Sequence, residues 1–284
     1  MLGPMDCPNC GAPVEVTLAN SKSITCRSCN SLIDLSSGTG AQLRHAIQDE
    51  PVQPLIPLGS TGKLQGVDWQ VVGFQHRLGH DPQEEDAEHF GWDEYLLYHP
   101  QRGFSFLVDS EEGWSMVKPT TGAPALSSGG KSASYLGTTY QLEYSYEAET
   151  TYVAGEFYWQ VARGQKTFNR DFAKGKSLLS IEQTPAEITW SSGSRMDAAT
   201  IIQAFRLQGK EDLVRRTEAS PVSASSGVGC VTVIVLVVIL LIFLSMLRAC
   251  MACDPQRENC SSSGSTWRSG GGSYGGYSSG GSHK

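Results

Sequence analysis

The chain has 284 residues, 22 Lys and Arg against 29 Asp and Glu, a formal charge of −7 and 39% hydrophobic residues. Its length allows one large domain or two small ones. The acidic balance excludes broad nucleic-acid binding, which needs clustered cations, and the composition excludes collagen, coiled coil and a wholly disordered chain. Divided by position, residues 62–200 carry 11 bases and 19 acids, so the middle of the chain holds nearly all the acidity. The eight cysteines avoid that middle: Cys7, Cys10, Cys26 and Cys29 stand at the N-terminus, Cys230 in an apolar run, and Cys250, Cys253 and Cys260 beyond it. A central domain without cysteine is expected to fold on packing alone, in a reducing compartment.

Residues 1–35 read as a zinc ribbon. Cys7-Pro8-Asn9-Cys10 and Cys26-Arg27-Ser28-Cys29 are two Cys-x2-Cys turns separated by fifteen residues, room for a hairpin. Gly11 and Asn30 tolerate the left-handed backbone that such turns need. Four thiolates fit structural Zn(II), which supplies folding energy that so short a segment cannot draw from a core; rubredoxin-like iron and disulfides are the competing states. A closed four-cysteine site has no open position for catalysis. Only Lys22 and Arg27 lie between the first and last ligands, which favours a structural role or protein contact over nucleic acid.

Residues 36–61 read as a linker. Ser36 to Gly40 is followed by a helical turn over Ala41 to Gln48, and Pro51, Pro54 and Pro57 then make a stiff extended connector. From 62 to 208 the pattern is short alternating segments broken by Gly, Pro and Asp or Ser clusters, the mark of an antiparallel, mainly β domain. Strands are expected at Val67–Phe74, Tyr95–Tyr98, Phe104–Val108, Trp114–Val117, Tyr140–Glu147, Glu156–Val161, Leu178–Ile181 and Glu187–Trp190. Turns are expected at Pro100–Gly103, Ser110–Gly113, Arg163–Gln165, Ala173–Lys176 and Ser191–Ser194. In Tyr140–Glu147 the aromatic residues Tyr140, Tyr144 and Tyr146 alternate with polar ones, so one face is buried. Roughly eight strands make a sandwich or open barrel. Asp197 then caps a helix whose Ala198, Ile201, Ile202 and Phe205 share one face, with Gly209 closing it.

Trp92-Asp93-Glu94-Tyr95-Leu96-Leu97, Gly103 to Val108, Trp114, Gly155-Glu156-Phe157-Tyr158-Trp159, Ile181-Glu182 and Trp190 together resemble the bacterial family called domain of unknown function 4178, over about residues 60–205. The resemblance implies no established activity and no catalytic residue to carry over. It implies company with zinc ribbons or membrane segments in some members, and a genomic setting of membrane stress or polyamine-synthase-like genes.

Asp81, Glu84, Glu85, Asp86, Glu88, Asp93 and Glu94 crowd between Gly79 and Tyr95, with His80 and His89 and no cation. They form a candidate cation-binding patch for hard metals or polycations, weighed against a solvated hairpin loop. A metal centre on His76, His80 or His89 lacks a spacing that pins three ligands together. Ser127 to Ser132 imitates a phosphate loop, but Ala125 stands where glycine is required, so it reads as a loop. Trp69, Trp92, Trp114, Trp159 and Trp190 are expected to anchor strands to the core rather than to line a groove.

Residues 209–227 read as a second linker. Val228 to Leu247 are twenty residues without a charge, the length of a transmembrane helix. Flanking charges balance, so orientation rests on the reduced ribbon, the lack of an export signal and the short distal segment. These place the N-terminus in the cytoplasm of a bacterial inner membrane and the tail, 248–284, outside. That tail is Ser/Gly-rich and reads as disordered. The expectation is a membrane-anchored, non-catalytic accessory module that meets the lipid bilayer and an unidentified protein partner, in an envelope-stress or polyamine-linked system. The alternative is a tethered enzyme or small-cation or polyamine sensor that uses the acidic segment 81–94.

Overall fold

The computed structural model describes residues 5–36, 42–45, 48, 52–82 and 89–214. The chain divides into two units, Met1–Pro221 and Val222–Lys284. The second holds the uncharged run 228–247 and the tail 248–284, and both lie outside the described residues, as do Cys230, Cys250, Cys253 and Cys260. Among the described residues no helix is long and apolar enough to cross a membrane.

The N-terminal segment is built from β1 (Met5–Asp6) paired with β2 (Pro13–Val14), and from the antiparallel trio β3 (Ser23–Thr25), β4 (Leu32–Asp34) and β5 (Gln42–His45). β5 stands where a helical turn was expected, because the free edge of β4 satisfies its backbone at once, whereas one isolated helical turn is costly to nucleate. The supposed linker also contributes to the core. Ile56 is fully buried, and the amide of Leu55 donates to the Tyr95 hydroxyl at 3.1 Å. Val52, Leu55 and Leu58 of this stretch pack against the wall of the main domain.

That domain comprises β6 (Thr61–Leu64), β7 (Val67–His80), β8 (Phe90–His99), β9 (Gly103–Ser110), β10 (Gly113–Pro119), β11 (Ala125–Leu126), β12 (Ser132–Tyr135), β13 (Thr138–Phe157), β14 (Lys166–Lys174), β15 (Ser177–Gln183) and β16 (Ile188–Met196). The order β7-β8-β9-β10-β16-β15-β14-β13 is antiparallel throughout, and β13 returns to β7, pairing Glu147 with His80 through to Gly155 with Gly73. Eight strands therefore close into a barrel, which corrects the expected sandwich or open barrel. Closure follows from the length of β13: its 20 residues reach β12, β14, β7 and β3 in turn. Its pairing shifts register between Leu142 and Tyr144 and between Thr150 and Tyr152, and such bulges bend a strand around a barrel.

Two expected features dissolve into longer strands. Glu156–Val161 is no separate strand, since β13 ends at Phe157. Ser191–Ser194 is no turn but the middle of β16, paired with β10 on one side and β15 on the other. Gly193 is required there, because a Cβ would lie 2.0 Å from the carbonyl oxygen of Met116. β14, unmarked in the expected strand set, occupies the interval between two expected turns.

The main apolar core lies outside the barrel wall. Trp69, Val71, Phe74, Tyr95, Leu97, Leu107, Trp114 and Met116 are covered there by α1 (Ala198–Phe205), by Ile56 and by Val214 at the end of α2 (Glu211–Val214). The expected face of α1 is the buried one. The helix closes on Arg206, at φ 57°, three residues before Gly209, and Asp197 makes no side-chain cap, its carboxylate standing 3.3 Å from Lys176 Nζ. The stretch read as a second linker thus begins with packed structure: the Val214 carbonyl accepts from Trp114 Nε1 at 2.9 Å.

Ribbon and barrel share β13, whose Glu156 and Phe157 pair with Ile24 and Ser23 of β3. The Glu156 carboxylate is buried and accepts four hydrogen bonds, from the amides of Thr17 (2.9 Å) and Leu18 (3.0 Å) and the hydroxyls of Thr17 and Ser21 (both 2.7 Å). Asp34 adds a second clasp, accepting from Arg44 and from Gln160 Nε2 at 2.9 Å. Glu156→Ala strands four buried donors and is expected to cost about 3 kcal/mol or more, and Glu156→Gln about half as much. Denaturant unfolding of the full chain in detergent measures both; a loss within error for the alanine variant would show that Glu156 does not hold the ribbon.

Candidate functional site

Two sites emerge from this framework. In the first, the ribbon brings the four predicted cysteines together. Their sulfurs all lie within 4.8 Å of one another, with Cys7 to Cys29 and Cys10 to Cys26 at 3.7 Å. They are free thiols. Thiolates about 2.3 Å from a tetrahedral ion stand roughly 3.8 Å apart, so the cluster can hold a metal ion. The two turns repeat one backbone: the amide of Gly11 donates to the Cys7 carbonyl at 2.9 Å, and that of Asn30 to the Cys26 carbonyl at 2.8 Å. Gly11 and Asn30 take the expected left-handed conformation, φ 72° and 57°. The Ser31 hydroxyl, 3.1 Å from Cys29 Sγ, stabilises the thiolate and brings that thiol down to about 6.

The second site is the barrel interior, a cavity of about 830 Å³. It owes its lining to strand parity. On β7, Gln75 and Arg77 face inward while Phe74 and His76 do not; on β8, Trp92 and Glu94 face inward while Tyr95 belongs to the outer core. The bulge after Leu142 reverses parity on β13. Leu142 packs outside with Tyr140 and Phe172, whereas Tyr146 turns into the cavity. The expected single aromatic face of Tyr140–Glu147 is therefore split between the two sides of the wall.

Arg77 is the centre of the cavity. It is 4% exposed, and Nη2 reaches across to Thr167 Oγ1 of β14 at 2.6 Å and Glu182 Oε1 of β15 at 2.9 Å. Nη1 lies 3.4 Å from Glu94 Oε1, and the guanidinium sits 5.4 Å from the centre of the Trp92 ring. Glu94 also accepts from Trp92 Nε1 at 2.6 Å and from Gln75 Nε2 at 2.5 Å. Burial works against the charge of Arg77, but Glu94 and Glu182 outweigh it and raise its affinity for the proton. Nearby, Tyr146 donates to Asp171 Oδ2 at 2.8 Å. Burial pushes Asp171 up despite the bonds it accepts from Ser180 and Tyr146. At one rim, Arg195 Nη2 lies 2.8 Å from Glu143 and 3.1 Å from Glu112. Toward the other end the walls become apolar, with Phe106 against Trp159 at 5.8 Å between ring centres and Tyr158 stacked on Phe104 at 4.3 Å. Two buried polar atoms in the cavity lining, Arg77 Nε and Asn169 Oδ1, have no hydrogen-bond partner in the protein.

The acidic patch is distributed differently. Asp93 and Glu94 are neighbours on β8 but occupy opposite faces. Asp93 lies outside the cavity, 2.7 Å from His76 Nδ1, while Glu94 lines it. Asp81 follows the end of β7, and Glu84, Glu85, Asp86 and Glu88 lie outside the described residues. The rings of His80 and His89 lie 5.5 Å apart, tilted by 34°, with Glu147 3.8 Å from His80. The tryptophans also divide: Trp69 and Trp114 anchor the outer core, Trp92 and Trp159 line the cavity, and Trp190 stacks on Phe172. Arg77, Tyr146, Asn169 and Asp171 were not singled out as functional by sequence. Their trace there is the alternation of Thr167, Asn169 and Asp171 with Phe168 and Phe172 in β14, a polar face opposite an apolar one.

Arg77→Met removes the counter-charge of two inward carboxylates and is expected to cost about 3–5 kcal/mol, part of which returns when Glu94→Gln is added. Thermal unfolding of the single and double variants tests this, and equal losses in both would dissociate Arg77 from Glu94.

No curated protein and no solved structure matches the chain. Residues 57–198, half of the sequence, match the family described as Domain of unknown function (DUF4178). The matched span runs from the segment leading into β6 to the start of α1, so it contains the closed barrel with its polar cavity and excludes the ribbon. The chain belongs to that family of domains of unknown function.

Proposed function

We propose that this protein is a non-catalytic small-ligand-binding module, with the barrel interior as its binding site. The observation that carries this reading is the cavity of about 830 Å³ enclosed by eight strands and crossed by the Arg77 network. Eight-stranded barrels are just wide enough to hold one small ligand, and ligand sites commonly enclose a few hundred to about 1,000 Å³. The two orphaned polar atoms in its wall support the same reading, since a buried polar group without a partner is costly unless something else supplies one. Of the two functional expectations drawn from sequence, the cavity favours the sensor over the protein-interaction module, with the barrel interior rather than the segment 81–94 as its site. Glu94 accepts from three donors, Trp92, Gln75 and Arg77, which hold it in position.

The four-cysteine cluster is assigned structural Zn(II), on the donor set and the sulfur spacing. The uncharged run 228–247 tethers the module to a bacterial inner membrane, with the barrel on the cytoplasmic side, where a protein partner reads its occupancy.

Native mass spectrometry of gently purified protein tests the ligand site without assuming its ligand. A small molecule is expected to travel with the wild type and to be lost in Ser191→Trp, which fills the cavity. A co-purifying mass that persists in that variant would place binding elsewhere. Elemental analysis should find one zinc per chain and none in a Cys10→Ser, Cys26→Ser double variant; stoichiometric iron or no metal would reject the assignment.

A further inference from the structure

The inner wall of the barrel is asymmetric in charge. Each guanidinium in it faces two carboxylates: Arg77 lies between Glu94 and Glu182, and Arg195 between Glu112 and Glu143. Both clusters therefore carry an excess of acid, one within the cavity and one at its rim, so an added positive charge is drawn in and an added negative one repelled.

One place in this wall has the geometry of a receiver. Asn169 of β14 and Glu182 of β15 are direct cross-strand partners, and both line the cavity. Opposed residues of an antiparallel pair have Cβ atoms about 5 Å apart, so both side chains reach one ligand atom. Asn169 is 4% exposed, and its Oδ1 has no hydrogen-bond partner in the protein. Glu182 meets Arg77 through Oε1 at 2.9 Å, and its side chain is 41% exposed. The site thus offers an orphaned amide oxygen and a partly exposed carboxylate, two acceptors on adjacent strands. An ammonium group supplies N–H donors to both and also offsets the excess charge.

The surroundings define the rest of the ligand. Glu182 lies near the end of the cavity walled by Phe106, Val117, Tyr158 and Trp159, which offers aromatic and aliphatic surface within reach of the ammonium. Arg77 Nε is the second orphaned atom, and a neutral acceptor on the ligand satisfies it. A carboxylate would do so too, but it would face Glu94 and Glu182.

Resting on the reading of the barrel interior as a ligand site, we infer that the ligand is an organic ammonium compound with an apolar body, its –NH3+ held between Asn169 and Glu182.

The test uses the full chain in lipid nanodiscs and three probes of one shape: 2-phenylethylammonium, neutral 2-phenylethanol and the 3-phenylpropanoate anion. Isothermal titration is expected to give the ammonium at least ten-fold tighter binding than the alcohol, with the anion weakest. Glu182→Gln, which keeps an acceptor for Arg77, should shrink the ammonium advantage to less than about three-fold and leave the alcohol unchanged. Asn169→Asp should enlarge the advantage, a gain that misfolding cannot produce. Equal binding of ammonium and alcohol, or preference for the anion, overturns the inferred ligand class but leaves the cavity as a ligand site. Binding of the probes that is undiminished in Ser191→Trp overturns both.

Discussion

The ladder between β7 and β13 is the constraint on which the rest depends. It joins residues 67 to 82 positions apart in sequence, Glu147 with His80 through to Gly155 with Gly73, and without it the other strands would form one long open sheet. Closure does two things at once. It leaves the eight barrel strands without free edges, the usual liability of antiparallel sheets, and it turns one face of every strand into an interior. Because eight strands enclose so narrow a space, each inward residue meets partners two or three strands away. Arg77 on β7 reaches β14 and β15 for this reason. Its network follows from the closure rather than from any local motif.

A polar interior needs a compensating core elsewhere, and the chain supplies one on the outer wall. Trp69, Phe74, Tyr95 and Trp114 are buried against α1, Ile56 and Val214, all from segments flanking the barrel in sequence. This division of labour explains why the proline-rich stretch and the residues after α1 are packed rather than free: they are the second layer that lets the barrel keep its inside for other uses. Burial of about 25 cal/mol for each Å² of apolar surface outside offsets the cost of holding charges inside.

What could be read from sequence was local chemistry. The Cys-x2-Cys turns, the left-handed residues Gly11 and Asn30, the apolar face of α1 and most tight turns depend on neighbours within a few residues, and each of these is found. What could not be read was parity. Period two assigns faces only while register is kept, and the bulge after Leu142 exchanges the two sides of β13 in the middle of its clearest pattern. The same limit hid the separation of Asp93 from Glu94, adjacent in an apparently single acidic cluster and on opposite sides of the wall. Ser191–Ser194 was misread for a different reason. Serine and glycine mark turns where the chain is exposed, but in β16 they mark a close approach, with Gly193 against the backbone of β10.

The ribbon and the barrel are coupled through a short stretch of chain. Within Gly155 to Trp159 the chain passes from closing the barrel, to pairing with β3 at the end of β13, to walling the apolar end of the cavity. Gly155 makes the passage possible: at φ 90°, with a Cβ position 2.3 Å from the Val72 carbonyl oxygen, no other residue fits. Glu156 then fixes it, because a buried carboxylate surrounded by four donors has one low-energy placement. A segment of about thirty residues draws little folding energy from its own apolar content. Here it gains an edge strand and a carboxylate hydrogen-bond clasp from the barrel, and in return it holds in place the chain that continues into Tyr158 and Trp159. The order of the four-cysteine cluster and the shape of the apolar end of the cavity are therefore linked through five consecutive residues, and neither is set independently of the other.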